Sequence, residues 1–254
     1  MRDVFYTIQQ NEPLTADVYR MALSGDTSAI TAPGQFINIR LDGLYLRRPI
    51  SICDWDENGL TIIYKVVGAG TAQMACMMPG QPLDALSGLG NGYDVAACPD
   101  NAVLVGGGVG VPPLYALAKR LVAAGKRPSV ILGFNRAEEI FYQREFEALN
   151  IPVTVTTADG SAGVQGFVTA VLPAGAYACA CGPEPMLKAV YAKASGGQFS
   201  FEARMGCGFG ACMGCTCETL TGYKRICRDG PVLMYEEIRW QRKNNEESGM
   251  RNQE

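Results

Sequence analysis

The sequence of 254 residues contains no histidine. Without an imidazole there is no Ser-His-Asp triad, no H-E-x-x-H zinc protease and no zinc finger that mixes cysteine with histidine. A Rieske centre is excluded as well, because two of its ligands are histidines. Any metal ion in this protein must therefore be held by thiolates or carboxylates.

The sequence also lacks a strong excess of charge and a long apolar run. Its 22 basic and 25 acidic residues give a formal net charge of −3, which leaves no electrostatic footprint for nucleic acid. The first residues do not form the apolar core of a signal peptide, and the long uncharged stretches 101–118 and 160–183 are broken by glycine and proline. We expect a cytoplasmic protein with neither a nucleic-acid partner nor a membrane partner.

Ten cysteines stand out against this background. Disulfides are rare in the cytosol, so this many thiols indicate metal or redox chemistry before they indicate bridges. Five of the cysteines are scattered along the chain. The other five lie within one short segment, at positions 207, 212, 215, 217 and 227.

The first part of the chain, residues 1–98, has the pattern of a small antiparallel β-barrel. Residues 35–41 and 60–67 are strand-like, and turn signals of the proline–glycine or asparagine–glycine type separate such segments. Residues 71–78 form the only segment in this part that looks helical.

From residue 99 onward, apolar strands alternate with helices, which predicts a parallel sheet with right-handed crossovers. The predicted strands cover 102–105, 129–134, 153–157 and 177–181. The predicted helices cover 112–124, 137–149 and 183–194, with a further candidate helix at 167–172.

The alternation stops after residue 196, where the cysteine-rich segment begins. We therefore predict a multidomain β and α/β fold. It consists of an antiparallel barrel (1–98), a parallel-sheet α/β domain (99–196) and a small C-terminal cysteine module (197–240), followed by a polar, flexible tail (241–254).

The cysteine module has the spacing of a plant-type [2Fe–2S] site. Cys207, Cys212 and Cys215 form a C-x4-C-x2-C pattern that needs a fourth thiolate further on, and Cys227 is the candidate. The intervening glycines allow positive φ angles and turn backbone N–H groups towards the sulfurs. We interpret Cys217 as a packed thiol without a metal. The alternatives are uncoordinated thiols and a zinc site, although zinc favours two C-x2-C pairs and only one is present.

A glycine-rich turn follows the first strand of the α/β domain and opens a helix. Gly106, Gly107, Gly108 and Gly110 would let a pyrophosphate approach the backbone at the helix N-terminus. The match to G-x-G-x-x-G is imperfect because Val111 replaces the last glycine, and the second strand ends without an acid for a ribose 2′-hydroxyl. This is therefore not a standard Rossmann dehydrogenase, and a plain tight turn is the alternative interpretation.

A second strand-to-helix turn is predicted at the same edge of the sheet. Cys181, Gly182 and Pro183 end the last predicted strand, and ligands of open parallel sheets bind outside the carboxyl ends of the strands. We include these residues in a dinucleotide site, while Cys181 is equally well explained as a small core residue.

In the barrel, a cation and a hydroxyl lie three residues apart at a predicted strand start. Arg48 could bind a pyrophosphate and Ser51 could hydrogen-bond a ring nitrogen, although the pair Arg47-Arg48 is more often a surface feature. Gly70 and Thr71 open the predicted helix, whose N–H groups could complete a phosphate site.

In this order, and over nearly the full chain, these segments resemble the electron-transfer subunits of type B dihydroorotate dehydrogenases, within the ferredoxin reductase superfamily. The resemblance implies an FAD-binding barrel, an NAD-binding α/β domain and a C-terminal [2Fe–2S] domain. By carry-over, the cluster ligands are Cys207, Cys212, Cys215 and Cys227. The implied FAD-binding residues are Arg48, Pro49, Ile50, Ser51, Ile63, Tyr64, Lys65, Gly70 and Thr71.

The implied cofactors make chemical sense together. NAD exchanges two electrons as hydride, a [2Fe–2S] cluster accepts one, and a flavin can do both. The resemblance implies that an FMN-containing partner subunit oxidises dihydroorotate and that its electrons pass through the cluster and FAD to NAD⁺ in pyrimidine biosynthesis, with two copies of each chain. The alternatives are a flavin/iron–sulfur reductase module of a hydrogenase or transhydrogenase, and a scaffold subunit that is cofactor-free or binds zinc.

Overall fold

The computed structural model describes residues 1–240, and the flexible tail predicted at 241–254 lies outside the described residues. The chain begins with a closed barrel of six antiparallel strands. The strands are β1 (Arg2–Pro13), β2 (Val18–Ser24), β3 (Phe36–Ile39), β4 (Arg48–Trp55), β5 (Gly59–Lys65) and β6 (Pro82–Leu89). They close in the order β1-β2-β5-β4-β3-β6, and helix α1 (Ala69–Ala75) lies between β5 and β6.

Alternating apolar and polar residues explain the barrel. Every second residue of β6 from Leu83 to Leu89 is buried, so one face of the strand lies in the core and the other stays accessible. The core also contains Tyr6, whose hydroxyl donates a hydrogen bond to the buried Ser87 Oγ at 2.8 Å. The predicted antiparallel barrel is confirmed.

The second part of the chain is a seven-stranded sheet flanked by helices. Its parallel strands are β7 (Val103–Gly107), β8 (Ser129–Phe134), β9 (Val153–Thr157), β10 (Val164–Gln165), β11 (Tyr177–Cys181) and β12 (Gly196–Ser200). The helices are α2 (Pro112–Ala123), α3 (Gln143–Glu147) and α4 (Glu184–Lys193). The chain then forms a hairpin of β13 (Thr216–Thr219) and β14 (Gly222–Arg225) and ends the sheet with β15 (Val232–Met234). The sheet order is β10-β9-β8-β7-β11-β12-β15, with β15 antiparallel to β12.

The central strands of this sheet are apolar on both faces. All five residues of β7 are buried, as a parallel strand covered by helices on both sides requires. On α2, Leu114, Leu117 and Leu121 recur every three or four residues and are all 0% exposed, which gives the helix its buried face. No helix in residues 1–240 combines the length and the apolarity needed to cross a membrane.

One predicted helix is much shorter in the structure. Of the segment 137–149, Ala137–Glu139 forms a single 3-10 turn and α3 covers only its last part. Tyr142, just before α3, has a left-handed backbone conformation with a φ of 63°, and Phe141 and Tyr142 are both buried in the core. The packing of these two rings overrides the helical pattern of the sequence.

The cysteine module is continuous with the sheet. The boundary predicted at residue 196 coincides with the first residue of β12, and both β12 and β15 are strands of the seven-stranded sheet. The cysteine loop and the β13–β14 hairpin lie between these two strands along the chain. The module is therefore held by the α/β domain at both of its ends.

The connection from the barrel to the α/β domain, residues 90–93, contacts all three parts, and we call it the junction. The side chain of Asn91 exchanges two hydrogen bonds, of 2.8 and 3.2 Å, with the backbone of the first residue of β15. The Tyr93 N–H donates to the Pro33 carbonyl of the barrel at 2.7 Å. The Tyr93 hydroxyl donates to the Ala180 carbonyl of β11 at 3.0 Å. The junction thus ties the three parts together through directed hydrogen bonds.

We expect the substitution Asn91→Ala to weaken the attachment of the cysteine module. It removes the two hydrogen bonds to β15 and a third, from Asn91 Nδ2 to the Asp229 carbonyl at 3.2 Å. The backbone N–H and carbonyl of β15 lose these partners, which costs about 1–3 kcal/mol. Urea unfolding followed by the combined fluorescence of Trp55 and Trp240 measures the effect. Asn101→Ala, in an exposed turn, is the matched control, and equal urea midpoints for the two variants would contradict the prediction.

Candidate functional site

The loop that carries the first cysteines wraps its backbone around a sulfur atom. Gly208 and Gly210 have φ angles of 80° and 91°, which glycine adopts without strain. These turns place the N–H groups of Ala211 and Cys212 at 3.2 and 3.4 Å from Cys207 Sγ. Hydrogen bonds donated to the sulfur favour the thiolate over the thiol. A cysteine must be in the thiolate form to bind a metal.

The predicted cluster ligands are arranged as two pairs. The Cys207 N–H lies 3.4 Å from Cys212 Sγ, and the Cys227 N–H lies 3.4 Å from Cys215 Sγ. Two pairs are the arrangement that a [2Fe–2S] cluster requires, because its two irons share four thiolates. Cys217 lies in β13 outside these pairs and packs against the apolar core.

The electrostatics of the loop favour a positively charged centre. Burial raises the pKa of the Cys207 thiol, but the backbone N–H groups of Cys212 and Phe209 outweigh it and bring that pKa down to about 6. Burial, followed by the neighbouring Cys215, raises the pKa of Cys227 to about 12. Several thiolates can share this space only with a cation between them, and iron supplies that charge. The residues present therefore fit the cluster.

Asn38 of the barrel strand β3 fixes the cysteine loop to the barrel. Its Nδ2 donates to the Cys207 carbonyl at 3.2 Å, and a Cβ on Gly208 would lie only 2.2 Å from the same nitrogen. On the other side of the loop, Arg225 donates to the Gly210 carbonyl at 2.7 Å. The sequence did not indicate Asn38, because nothing in a barrel strand marks a contact across 169 positions.

The barrel presents an accessible face at the start of β4. Arg48, Pro49, Ile50 and Ser51 are all partly exposed, whereas β3 beside them is fully buried. The Arg48 guanidinium lies against Gly70 in the first turn of α1, where a Cβ would come within 2.3 Å of Nε. An arginine beside unpaired N–H groups of a helix start is a geometry that suits a diphosphate. These residues fit the diphosphate of FAD.

The residues predicted from β5 divide between the two faces of that strand. Tyr64 is 2% exposed in the barrel core, and its hydroxyl donates to Asn11 Oδ1 at 2.9 Å. Only the backbone of Tyr64 is therefore available to a cofactor outside the barrel. Ile63 packs into the core cluster of the α/β domain, and Lys65 forms an ion pair of 3.1 Å with Asp17.

The predicted Thr71 uses its hydroxyl within the chain. Its Oγ1 accepts hydrogen bonds from the Val67 and Gly68 N–H groups at 2.9 and 3.3 Å and donates to the Gly68 carbonyl at 3.1 Å. The side chain thus shapes the loop before α1. What remains for a phosphate at this position is the backbone N–H of the first turn.

A cavity of about 570 Å³ lies at the carboxyl ends of the parallel strands and reaches the barrel at Lys65. This volume is in the range of pockets for small-molecule ligands. Both predicted glycine turns line the cavity, as do two acids and an asparagine that are not among the predicted site residues. These lining residues include Gly107, Gly110, Gly182, Asn135, Glu139 and Glu202.

The two glycine turns pack backbone against backbone. A Cβ on Gly110 would lie 2.2 Å from the Cys181 carbonyl oxygen, and a Cβ on Gly107 would lie 2.5 Å from Met186 Sδ. Gly108 has a φ of 51°. These contacts explain the glycines as a tight turn, and they also leave bare backbone facing the cavity. A tight turn and a diphosphate site are therefore compatible interpretations of this motif, because the same close packing leaves backbone that a diphosphate can approach.

Some of the residues predicted for the dinucleotide site line the cavity, and others lie behind its wall. Pro183 lines the cavity, whereas Gly106 and Cys181 are not among its lining residues within the described chain. Cys181 is 3% exposed, and burial, followed by the charge of Glu202, raises the pKa of its thiol to about 12. The thiol is thus protonated at neutral pH. Glu202 does line the cavity, and burial raises the pKa of its carboxyl group.

Comparison with known proteins gives consistent matches to both later parts of the chain. Residues 202–239 match the family model described as the iron–sulfur cluster binding domain of dihydroorotate dehydrogenase B, and residues 104–192 match the oxidoreductase NAD-binding domain.

Two curated relatives share the name dihydroorotate dehydrogenase B (NAD⁺), electron transfer subunit. The protein from Fusobacterium nucleatum is 44% identical, with 91% of this chain and 96% of the relative covered. The protein from a Geobacillus species is 41% identical, with 94% of this chain and 99% of the relative covered. A solved structure of an NADH-dependent reduced ferredoxin-NADP oxidoreductase, studied for flavin-based electron bifurcation, is 29% identical. It aligns with a TM-score of 0.82 over 92% of this chain and 90% of that chain.

We expect Cys227→Ser to abolish the cluster while Cys217→Ser leaves it in place. The first substitution removes one sulfur of a pair, and the second removes a thiol that packs outside both pairs. Iron and acid-labile sulfide contents of the purified variants, together with the optical spectrum, measure the effect. Equal cluster loss in the two variants would contradict the assigned ligand set.

We expect Arg48→Ala to lower FAD retention at least about tenfold, because a charge-assisted hydrogen bond to a phosphate is lost. Arg40→Ala is the control, since Arg40 is an exposed barrel arginine that forms an ion pair with Asp84 at 3.5 Å. The dissociation constant for FAD, obtained from the quenching of flavin fluorescence, is the measurement. Unchanged FAD affinity in the Arg48 variant would remove this residue from the site.

Proposed function

The chain belongs to the family of electron transfer subunits of NAD-dependent dihydroorotate dehydrogenase B, and from this premise we propose how its sites carry electrons. It is an oxidoreductase subunit with an iron–sulfur domain, an NAD-binding domain and a ferredoxin-reductase-like barrel. Electrons delivered by a partner subunit that oxidises dihydroorotate pass along this chain to NAD⁺ and so serve pyrimidine biosynthesis.

This proposal rests mainly on the position of the barrel face, which lies between the cysteine loop and the cavity of the α/β domain. The cysteine loop is bonded to β3 of the barrel through Asn38, and the barrel face at Arg48 lies on the neighbouring strand β4. The cavity of the α/β domain reaches the barrel at Lys65. A flavin on the barrel face accepts or donates one or two electrons, which matches a one-electron cluster to a two-electron nicotinamide.

The residues of the chain act by positioning and by electrostatics. In this proposal Cys207, Cys212, Cys215 and Cys227 hold the cluster, and the N–H groups of their loop stabilise the negative sulfurs. Arg48 neutralises part of the FAD diphosphate. The barrel residues around it, namely Pro49, Ile50, Ser51, Ile63, Tyr64, Lys65, Gly70 and Thr71, complete the site, with Tyr64 contributing its backbone.

The dinucleotide site combines the two glycine turns. Gly107, Gly108 and Gly110 receive the pyrophosphate of NAD, and Gly182 and Pro183 bound the same cavity. Gly106 and Cys181 support these turns from behind, Cys181 through the carbonyl against which Gly110 packs. Neither of these two residues needs to contact NAD for the turns to keep their shape.

The name of the family implies a catalytic partner subunit. We propose that this partner contains FMN, that two copies of each chain assemble in the cytoplasm, and that the partner docks over the exposed part of the cysteine loop. Phe209 and Met213 on this loop are 43% and 54% exposed, which gives the docking surface an apolar centre close to the cluster ligands.

We further propose that the chain divides functionally as a FAD barrel (1–98), an NAD domain (99–196) and a cluster module (197–240). The packing of β12 and β15 in one sheet supports a rigid attachment of the third unit to the second. A rigid attachment keeps the distances between the redox centres fixed.

A second candidate function is a reductase module of a transhydrogenase. The 29% identity to the reduced ferredoxin-NADP oxidoreductase, over 92% of the chain, favours it. The two candidates differ in their partners, because a transhydrogenase module exchanges electrons with a second pyridine-nucleotide subunit and not with a dihydroorotate-oxidising one.

The experiment that separates them is purification of the complex from the native host. We expect a flavoprotein that reduces an artificial dye with dihydroorotate to copurify with this chain. The complex should reduce NAD⁺ with dihydroorotate, while the isolated chain, loaded with FAD and cluster, should oxidise NADH with ferricyanide but leave dihydroorotate unchanged. Oxidation of dihydroorotate by the isolated chain, or copurification of a transhydrogenase subunit instead, would contradict the proposal.

A further inference from the structure

The cavity of the α/β domain extends across the carboxyl ends of several strands, and different residues line its two ends. The sheet order places Gly182, after β11, on one side of the glycine turn that follows β7. Asn135, after β8, and Phe167, after β10, lie on the other side. The nicotinamide must meet the flavin face of the barrel, which the cavity reaches at Lys65. The adenosine half of the dinucleotide then extends from the pyrophosphate towards the tips of β8 and β10.

An acid stands at this adenosine end, although the second strand does not end in one. The 3-10 turn Ala137–Glu139 folds back on β8, so the Glu139 carboxylate returns to the strand tip. Its Oε2 accepts hydrogen bonds from the Asn135 N–H at 3.3 Å and from Asn135 Nδ2 at 2.9 Å. An acid in this place hydrogen-bonds the ribose 2′-hydroxyl in NAD-binding sheets. The dinucleotide-binding motif places this acid at the end of the second strand, where Asn135 stands. Here Glu139, four positions later in the sequence, brings a carboxylate to the same place.

Arg136, the only cation in the described loop 135–140, forms ion pairs with two acids of the same loop. Arg136 Nε lies 3.4 Å from Glu139 Oε1, and Arg136 Nη1 lies 3.2 Å from Glu138 Oε1. Asp159 is the third acid: hydrogen bonds from Ser161 are the main reason why its pKa is lowered, and Arg136 adds to the effect. One guanidinium offsets only one of these three carboxylates, so the loops at this end of the cavity carry a net negative charge.

Such an environment distinguishes the two pyridine nucleotides. NADP carries a 2′-phosphate with a charge between about −1.5 and −2 at neutral pH. A phosphate there would meet carboxylates that already pair with the one nearby arginine, whereas a 2′-hydroxyl can donate a hydrogen bond to one of them. Glu139 is better placed than Glu138 to act, because its side chain is 29% exposed and lines the cavity while that of Glu138 is 70% exposed at the rim.

We propose that Glu139 is the residue that selects NAD over NADP, by accepting a hydrogen bond from the adenosine ribose and by holding Arg136 in an ion pair that denies it to a 2′-phosphate. This inference rests on the proposed NAD site and adds the determinant of its specificity. Glu138 and Asp159 strengthen the same effect by keeping the surroundings of Arg136 acidic.

The test compares ADP-ribose with 2′-phospho-ADP-ribose by isothermal titration calorimetry on the chain loaded with FAD and cluster. Wild type should bind ADP-ribose more tightly. In Glu139→Gln, and more so in Glu138→Gln/Glu139→Gln, the ratio of the two affinities should shift at least about tenfold towards the phosphorylated ligand, since one charge-assisted interaction changes sign. The ratio of kcat/KM for NADH and NADPH with ferricyanide should shift in the same direction.

Two further variants make the test specific to Arg136. Adding Arg136→Ala to Glu139→Gln should abolish the gained affinity for the phosphorylated ligand, which a general loosening of the loop would not do. Glu147→Gln is the matched control, because Glu147 lies on α3 and hydrogen-bonds Gln143 at 2.7 Å outside the cavity. Glutamine at 139 keeps an acceptor for Asn135, so the thermal midpoint should stay within about one degree of wild type.

The outcomes separate the inference from the proposed function. Preference for ADP-ribose in wild type with an unchanged affinity ratio in Glu139→Gln would overturn the role of Glu139 and leave the NAD site standing. Binding of neither ligand by wild type would overturn the NAD site and the inference together.

Discussion

The junction at residues 90–93 is the constraint on which the rest of the structure depends. It leaves no room between the three parts: a Cβ on Gly90 would lie 2.5 Å from Pro231 Cδ, and a Cβ on Gly34 would lie 2.7 Å from Tyr93 Cδ2. Directed hydrogen bonds from Asn91 and Tyr93 then fix the orientation of each part. A short connection that is crowded and hydrogen-bonded to all three parts resists bending, which favours a constant spacing of the candidate redox sites.

The candidate sites of this chain do not depend on a histidine. Each candidate site uses groups that hold charge in place: paired thiols with N–H groups directed at sulfur, an arginine over a helix start, and bare glycine backbone beside a cavity. None of these groups has to take a proton from a substrate carbon. The chain positions electron carriers, in keeping with the name of its relatives as electron transfer subunits.

Local patterns predicted the parts that depend on local interactions. Four of the seven strands of the sheet, the spacing of the cysteines and both glycine turns were visible because each is encoded within about a dozen neighbouring residues. The strands β10, β12 and β15 were not predicted. The prediction of a helix over 137–149 was wrong because the burial of the Phe141 and Tyr142 rings overrode the helical periodicity. In the candidate helix at 167–172, only a 3-10 turn, Val168–Ala170, forms. The resemblance could not show that alternation along β5 turns the Tyr64 side chain into the barrel core. Asn38 and Glu202 escaped prediction because they reach their sites through the folding of distant segments. Glu139 escaped prediction because the sequence predicted a helix at 137–149, and the 3-10 turn that forms there instead returns its carboxylate to the end of β8.

One chain holds the candidate cluster, flavin and nicotinamide sites at a fixed spacing, so electrons should pass between them within it. An anaerobic titration of the chain, loaded with FAD and cluster, with NADH tests it most directly when flavin absorbance and the EPR signal of the reduced cluster are recorded on the same samples. The account predicts that bleaching of the flavin is accompanied by the EPR signal of the cluster, without a partner subunit present. Bleaching of the flavin with a cluster that stays EPR-silent, although dithionite reduces it, would contradict the account.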